Sequence, residues 1–123
     1  MTVGEMKRFV MHQTGNDTAD VSEFLPYLTD YLNEGYDRLV FAFAKEHVAD
    51  GSQSFPALAD DLDAPRLPVW THPAIANWAA WCMYRNGSPQ KQNRGIQFRA
   101  AAEETAAQIR CGSKAQAFFN MPG

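Results

Sequence analysis

Only two cysteines, Cys82 and Cys111, occur in this 123-residue chain, and they form no CxxC pair. Two such thiols make neither a disulfide scaffold nor a thiolate zinc site. Both are read as reduced. Cys82 shares a helical face with Trp78 and has only Arg85 nearby to favour a thiolate, which makes it a small core residue rather than a nucleophile. The histidines are His12, His47 and His72, and none stands four residues from another His or a Cys. A helical zinc-ligand pair is therefore missing. No GxSxG, Walker or GxGxxG segment occurs, which removes the usual signs of a nucleophile elbow, a P-loop and a dinucleotide fold. The run Asp60-Asp61-Leu62-Asp63 could meet a hard cation, but it lacks EF-hand spacing and reads better as a solvated acidic loop. No apolar run approaches the ~20 residues of a membrane span. The opening MTVGEMKRFV carries its charges too early for a secretory segment, so the chain is expected to stay in the cytosol that makes it. Nothing here points to a catalytic residue, a metal or a cofactor.

What is present is ordinary globular material. Apolar residues are 46% and charged residues 20%, the composition of a folded domain. Fifteen aromatics, Trp70, Trp78 and Trp81 among them, supply core or interface bulk. The net charge of -3 is unevenly spread. Residues 1–70 hold five Lys/Arg against twelve Asp/Glu, a balance of -7, and residues 71–123 hold six against two, a balance of +4. A chain polarised this way can pair head to tail with its own copies. The plainer reading is that both charge sets face solvent.

Four helices are legible. Thr2 and Glu5 have capping-box spacing, Val3, Met6, Val10 and Gln13 follow at helical intervals, and Gly15-Asn16 supplies a stop. The second helix, capped by Asp20 or Ser22, shows Leu25, Leu28, Leu32, Gly35, Leu39 and Phe43 on one face, widened by Tyr36 and Val40. Pro26 fits its first turn, and the helix should reach about His47. Residues 48–71 are rich in Pro and Asp; a short helix over Phe55–Leu62, capped by Ser54, is expected inside this long connection. The third helix starts near Thr71, with His72 placed to assist its cap and Pro73 in its first turn. Its buried stripe is Ile75, Trp78, Ala79, Cys82 and Met83. Asn86-Gly87 ends it, and Ser88-Pro89 starts a fourth helix that must fold back antiparallel. Phe98, Ala102, Thr105 and Ile109 share a face of that helix, which Cys111-Gly112 terminates. Arg85, Lys91, Arg94, Arg99 and Arg110 give this hairpin a basic character, suggestive of nucleic acid but set in an acidic chain. Phe118, Phe119 and Met121 lie beyond the helical pattern and are read as partner-seeking.

The fold class expected is a small all-α four-helix bundle over residues 1–111, with a C-terminal arm over 112–123. Three stretches together resemble a known family: FLPYLTDYLNEGYDRL at 24–39, LPVW at 67–70 leading into HPAIANWAAW at 72–81, and the NGSP turn at 86–89 opening the last helix. Over roughly residues 2–110 the order and lengths of helices are similar to the adaptor, or head-completion, proteins of tailed bacteriophages. That resemblance implies a non-enzymatic ring, commonly of twelve subunits, in the neck of the virion and assembled in the host cytoplasm. Such a ring docks under the portal protein, extends the DNA channel without reading sequence, and presents a platform to a stopper or tail-completion protein. It also implies that Phe118, Phe119 and Met121 belong to a portal-gripping arm. On this view Asp60, Asp61 and Asp63 could line the channel and repel phosphate, and Arg85, Lys91, Arg94 and Arg99 could face a neighbouring subunit. The competing reading is a small helical regulator that binds nucleic acid or another protein.

Overall fold

A computed structural model describes residues 1–15, 21–47 and 55–110 of the chain. Within them the regular structure is all-helical: α1 at Val3–Gln13, α2 at Val21–His47, α3 at His72–Tyr84 and α4 at Pro89–Arg110, with one 3₁₀ turn at Val69–Thr71. The expected all-α bundle is what the chain forms.

The starts of α1 and α4 have local causes. The Thr2 hydroxyl accepts from Glu5 N–H, and the Glu5 carboxylate accepts from Thr2 N–H, the reciprocal box foreseen from sequence. Gly15, at φ 69°, follows the end of α1 in the left-handed region that glycine enters without strain. The Ser88 hydroxyl accepts from Lys91 N–H, and Pro89 opens α4. The start of α2 departs from expectation. Because the helix begins at Val21, Ser22 lies inside it and Pro26 falls in its second turn, where the missing N–H removes one helical bond. The other proposed cap, Asp20, lies outside the described residues, as do Asn16, Ser54 and the proposed stop at Cys111-Gly112.

The helix α3 is the axis of the bundle. Its hydrophobic residues do not form one stripe: Ala74, Ile75, Ala76, Trp78, Ala79, Ala80, Cys82 and Met83 are all buried. A helix buried nearly all round is one with neighbours on every side, and α1, α2 and α4 each pack on it. Two glycines set the closeness. A Cβ on Gly35 of α2 would lie 2.9 Å from the Ile75 carbonyl oxygen and 3.0 Å from Trp78 Cβ; one on Gly95 of α4 would lie 2.7 Å from Tyr84 Cβ. Tyr31 of α2 meets Arg85, the C-cap of α3, and Gly35 meets Ile75 and Trp78, so those helices are antiparallel. Gly95 against Tyr84, and Ala106 beside Ala74, give the same antiparallel sense for α3 and α4. Met1 lies against His72 and the Thr14 carbonyl accepts from the Tyr84 hydroxyl, so α1 runs parallel to α3 and the topology is up-down-up-down.

The helix α1 contributes Val3, Met6 and Val10, all fully buried, so it belongs to the core and not to its margin. Burying each such side chain is worth about 1.5–3 kcal/mol. Leu25, expected on the buried face of α2, is 45% exposed; the stripe that is buried runs from Leu28 through Leu32, Tyr36, Leu39 and Phe43.

Candidate functional site

The described part of the long connection, residues 55–71, is not the helix expected over Phe55–Leu62. Two side chains capture its backbone. Asn33 of α2 donates from Nδ2 to the Leu58 carbonyl at 2.8 Å and accepts the Leu58 N–H at 2.7 Å. The Asp63 carboxylate accepts from the N–H groups of both Ala59 and Asp60 at 2.9 Å. A backbone held in these side-chain bonds is withdrawn from helical pairing. The result is an irregular stretch ending in a tight turn, closed by Asp63 N–H donating to the Asp60 carbonyl.

That turn completes the N-terminus of α1. Val3 N–H donates to the Asp63 carbonyl at 2.8 Å, and Gly4 N–H to the Asp61 carbonyl at 2.9 Å. With Glu5 N–H on Thr2, the free donors of the first turn are all satisfied. Lys7 Nζ also reaches Asp61 Oδ1 at 2.9 Å. Of the three aspartates read as a channel-facing loop, Asp63 is therefore occupied by its own turn. The backbone N–H groups of Asp60 and Ala59 hold its carboxyl below the usual range. Asp61 is paired with Lys7, and Asp60 is exposed.

His72 does not cap α3. It is buried, with Nε2 2.8 Å from the Leu67 carbonyl oxygen and Nδ1 2.7 Å from the Met1 amine. It ties the end of the connection and the start of α1 to α3. Burial pushes its imidazole below its ordinary value, partly offset by the Leu67 hydrogen bond. The Thr71 hydroxyl turns back to the Pro68 carbonyl at 2.6 Å and gives α3 no side-chain cap.

Arg85, read from sequence as part of an inter-subunit basic face, makes its contacts within the chain. It donates to Glu34 through both guanidinium nitrogens, at 2.5 and 3.1 Å, and the same carboxylate accepts from the Trp78 indole at 3.2 Å. Arg85 holds the Glu34 carboxyl below the usual range against the opposing effect of burial. Burial first, and the Glu34 charge second, push the nearby Cys82 thiol up to about 12. A thiol so protonated is inert at neutral pH. Arg99 lies over the Trp81 ring at 4.9 Å. Lys91 and Arg94 are exposed on the first turns of α4, where residues 89–94 are all solvent-facing.

A groove of about 610 Å³ runs between α2 and α4 with α3 as its floor. Gly35, Leu39, Ala74, Trp78, Ala102 and Ala106 line its apolar part. Arg38 spans the wall: its guanidinium lies 4.0 Å over the Trp78 ring and 3.8 Å from Glu103. Phe41 stands on the rim with 67% of its surface exposed. Arg110, the last residue of α4, also lines the groove. Sequence reasoning missed this feature. Its only sequence signal was the pair of small residues Ala102 and Ala106, which leave room between helices that bulkier side chains would close.

Phe118, Phe119 and Met121 lie outside the described residues. Among the described residues no group of three His, Cys, Asp or Glu side chains is placed to hold a metal ion, and no helix is long and apolar enough to cross a membrane. The chain matches no family model, no curated protein and no solved structure.

Proposed function

We propose that this chain is a non-enzymatic assembly subunit, an adaptor of a tailed-phage neck that docks as a ring under the portal protein and presents a platform to the stopper or tail-completion protein. Fold alone assigns no function. The supporting observation is the surface: the bundle buries its core completely yet leaves Phe41 exposed on the rim of an apolar groove. Exposed apolar surface beside a concavity is a usual mark of protein–protein contact. The resemblance in helix order over residues 2–110 supplies the kind of assembly, and the acidic first part and basic second part suit a contact between unlike patches. In this reading Phe118, Phe119 and Met121 grip the portal, and packaged DNA passes through the ring without base-specific contacts.

The test is co-sedimentation of the purified chain with a tailed-phage portal oligomer, read by native mass spectrometry. The expected result is a stoichiometric ring on the portal, weakened by Phe118→Ser with Phe119→Ser while the free chain keeps its melting temperature. Absence of binding, together with salt-sensitive binding of the isolated chain to DNA, would instead favour the regulator.

A further inference from the structure

Two unlike surface features stand at the same end of the bundle. One is the turn at Asp60–Asp63. The Asp63 carboxylate and the hydrogen bonds to α1 hold it in one shape, and Leu62 projects from it with 86% of its surface exposed. A large apolar side chain on a pre-formed turn is a knob whose ordering cost is already met by the fold. The other is the groove between α2 and α4, with Phe41 on its rim and Trp78 and Ala106 inside. The turn binds the first residues of α1, and Met1 beside them contacts His72 at the start of α3; Ala74, two residues further, lines the groove. Both features are therefore level with the N-terminal end of α3. They lie on different edges, because α1 and α4 each pack on α2 and α3 without substantial contact with one another.

Their charges also match. Asp60 and Asp61 precede Leu62, and with Asp61 paired to Lys7 it is Asp60 whose carboxylate is left exposed beside the knob. In the groove, Glu34 is paired with Arg85 and Glu103 lies beside Arg38, whereas Arg110 has no ion-pair partner among the described residues. The remaining acid of the lining, Asp37, sits about one helical turn back from Phe41, away from the Arg110 end.

We propose that the Asp60–Asp63 turn of one copy seats in the α2–α4 groove of a second copy, Leu62 against Phe41 and Trp78, with Asp60 facing Arg110. The contact joins unlike patches, so each added copy leaves a free knob and a free groove, and growth continues until a ring closes. The turn then faces a neighbour and not the channel. This rests on the self-assembly part of the function proposed above and names the surfaces that carry it.

The experiment is sedimentation velocity over a concentration series of the full chain, with Leu62→Asp and Phe41→Asp. Both positions are exposed, so circular dichroism melts should match the wild type. The wild type is expected to grow in mass with concentration. Each variant alone should need roughly tenfold more protein or stay monomeric, since losing one buried Leu or Phe contact is a loss of that order. An equimolar mixture of the two variants, having one working knob and one working groove between them, should form dimers and stop. Variants that assemble like the wild type overturn this interface while leaving assembly through other surfaces intact. A wild type monomeric at every concentration overturns it outright. So does a photo-crosslinker at position 41 that captures residues 111–123, in its own copy or another, instead of residues 60–63 of a second copy.

Discussion

Asn33 grips both edges of one peptide residue: its side-chain amide donates to the carbonyl of Leu58 and accepts the N–H of Leu58, at 2.8 and 2.7 Å. This two-point contact stitches the long connection to α2 and buries Leu58 against the core. Asn33→Ala leaves both backbone groups of Leu58 without that partner, at a cost of about 1–3 kcal/mol. Urea unfolding should show a lower midpoint at an unchanged slope. Asn33→Asp keeps an acceptor for the N–H but sets an anion against the carbonyl, and should be no better than alanine.

Gly35 and Gly95 should resist replacement by alanine. In a helix interior alanine normally gains about 1 kcal/mol over glycine. Here the added methyl meets the Ile75 carbonyl oxygen in one case and the Tyr84 and Trp81 side chains in the other, all closer than 3.0 Å. Overpacking of this kind costs about 1–3 kcal/mol, so both variants should melt below the wild type. The Gly35 variant should suffer more, because backbone yields less than a side chain.

How much of this was legible in the sequence differs from element to element. The Thr2–Glu5 box, the Ser88-Pro89 start and the antiparallel hairpin depend on neighbouring residues, and neighbouring residues announce them. The reading of Phe55–Leu62 as helix failed because the bonds that prevent it come from Asn33, far away in sequence, and from Asp63 biting back on Ala59 and Asp60. His72 looked like a helix cap because Pro73 follows it; its partners, Leu67 and Met1, are set by tertiary packing. The α3 stripe was read too narrowly, since alanines at Ala74, Ala76 and Ala80 carry little periodic signal yet are buried. The groove was invisible for a related reason: a gap between helices is made by what side chains lack.

Acid should destabilise the fold through His72. Its folded imidazole sits below the ordinary 6.5, with burial the main cause. The unfolded chain therefore takes up a proton that the folded chain refuses. Stability from this group is present above pH 6.5 and is lost as pH falls towards the folded value. The urea midpoint should decline as pH falls below about 6.5, and His72→Gln should flatten that decline while lowering the midpoint overall. Glu34 adds to the same trend at lower pH, because its carboxyl is held below 4.5 by Arg85.

Cys82 should be silent towards thiol reagents. Its thiol is buried and pushed up to about 12. In a Cys111→Ser background, a colorimetric disulfide reagent at about pH 8, near the ordinary thiol pKa, should record no fast phase in the native protein and one full equivalent in urea. Fast native labelling would mean that the packing of α2 on α3 opens readily.

The most direct test of the proposed assembly is a reconstruction of tailed particles produced by cells that make this chain. The account predicts a closed ring of copies immediately beneath the portal, with α-helical density matching the up-down-up-down bundle. A neck resolved without this polypeptide, or the polypeptide found elsewhere in the particle, would contradict it.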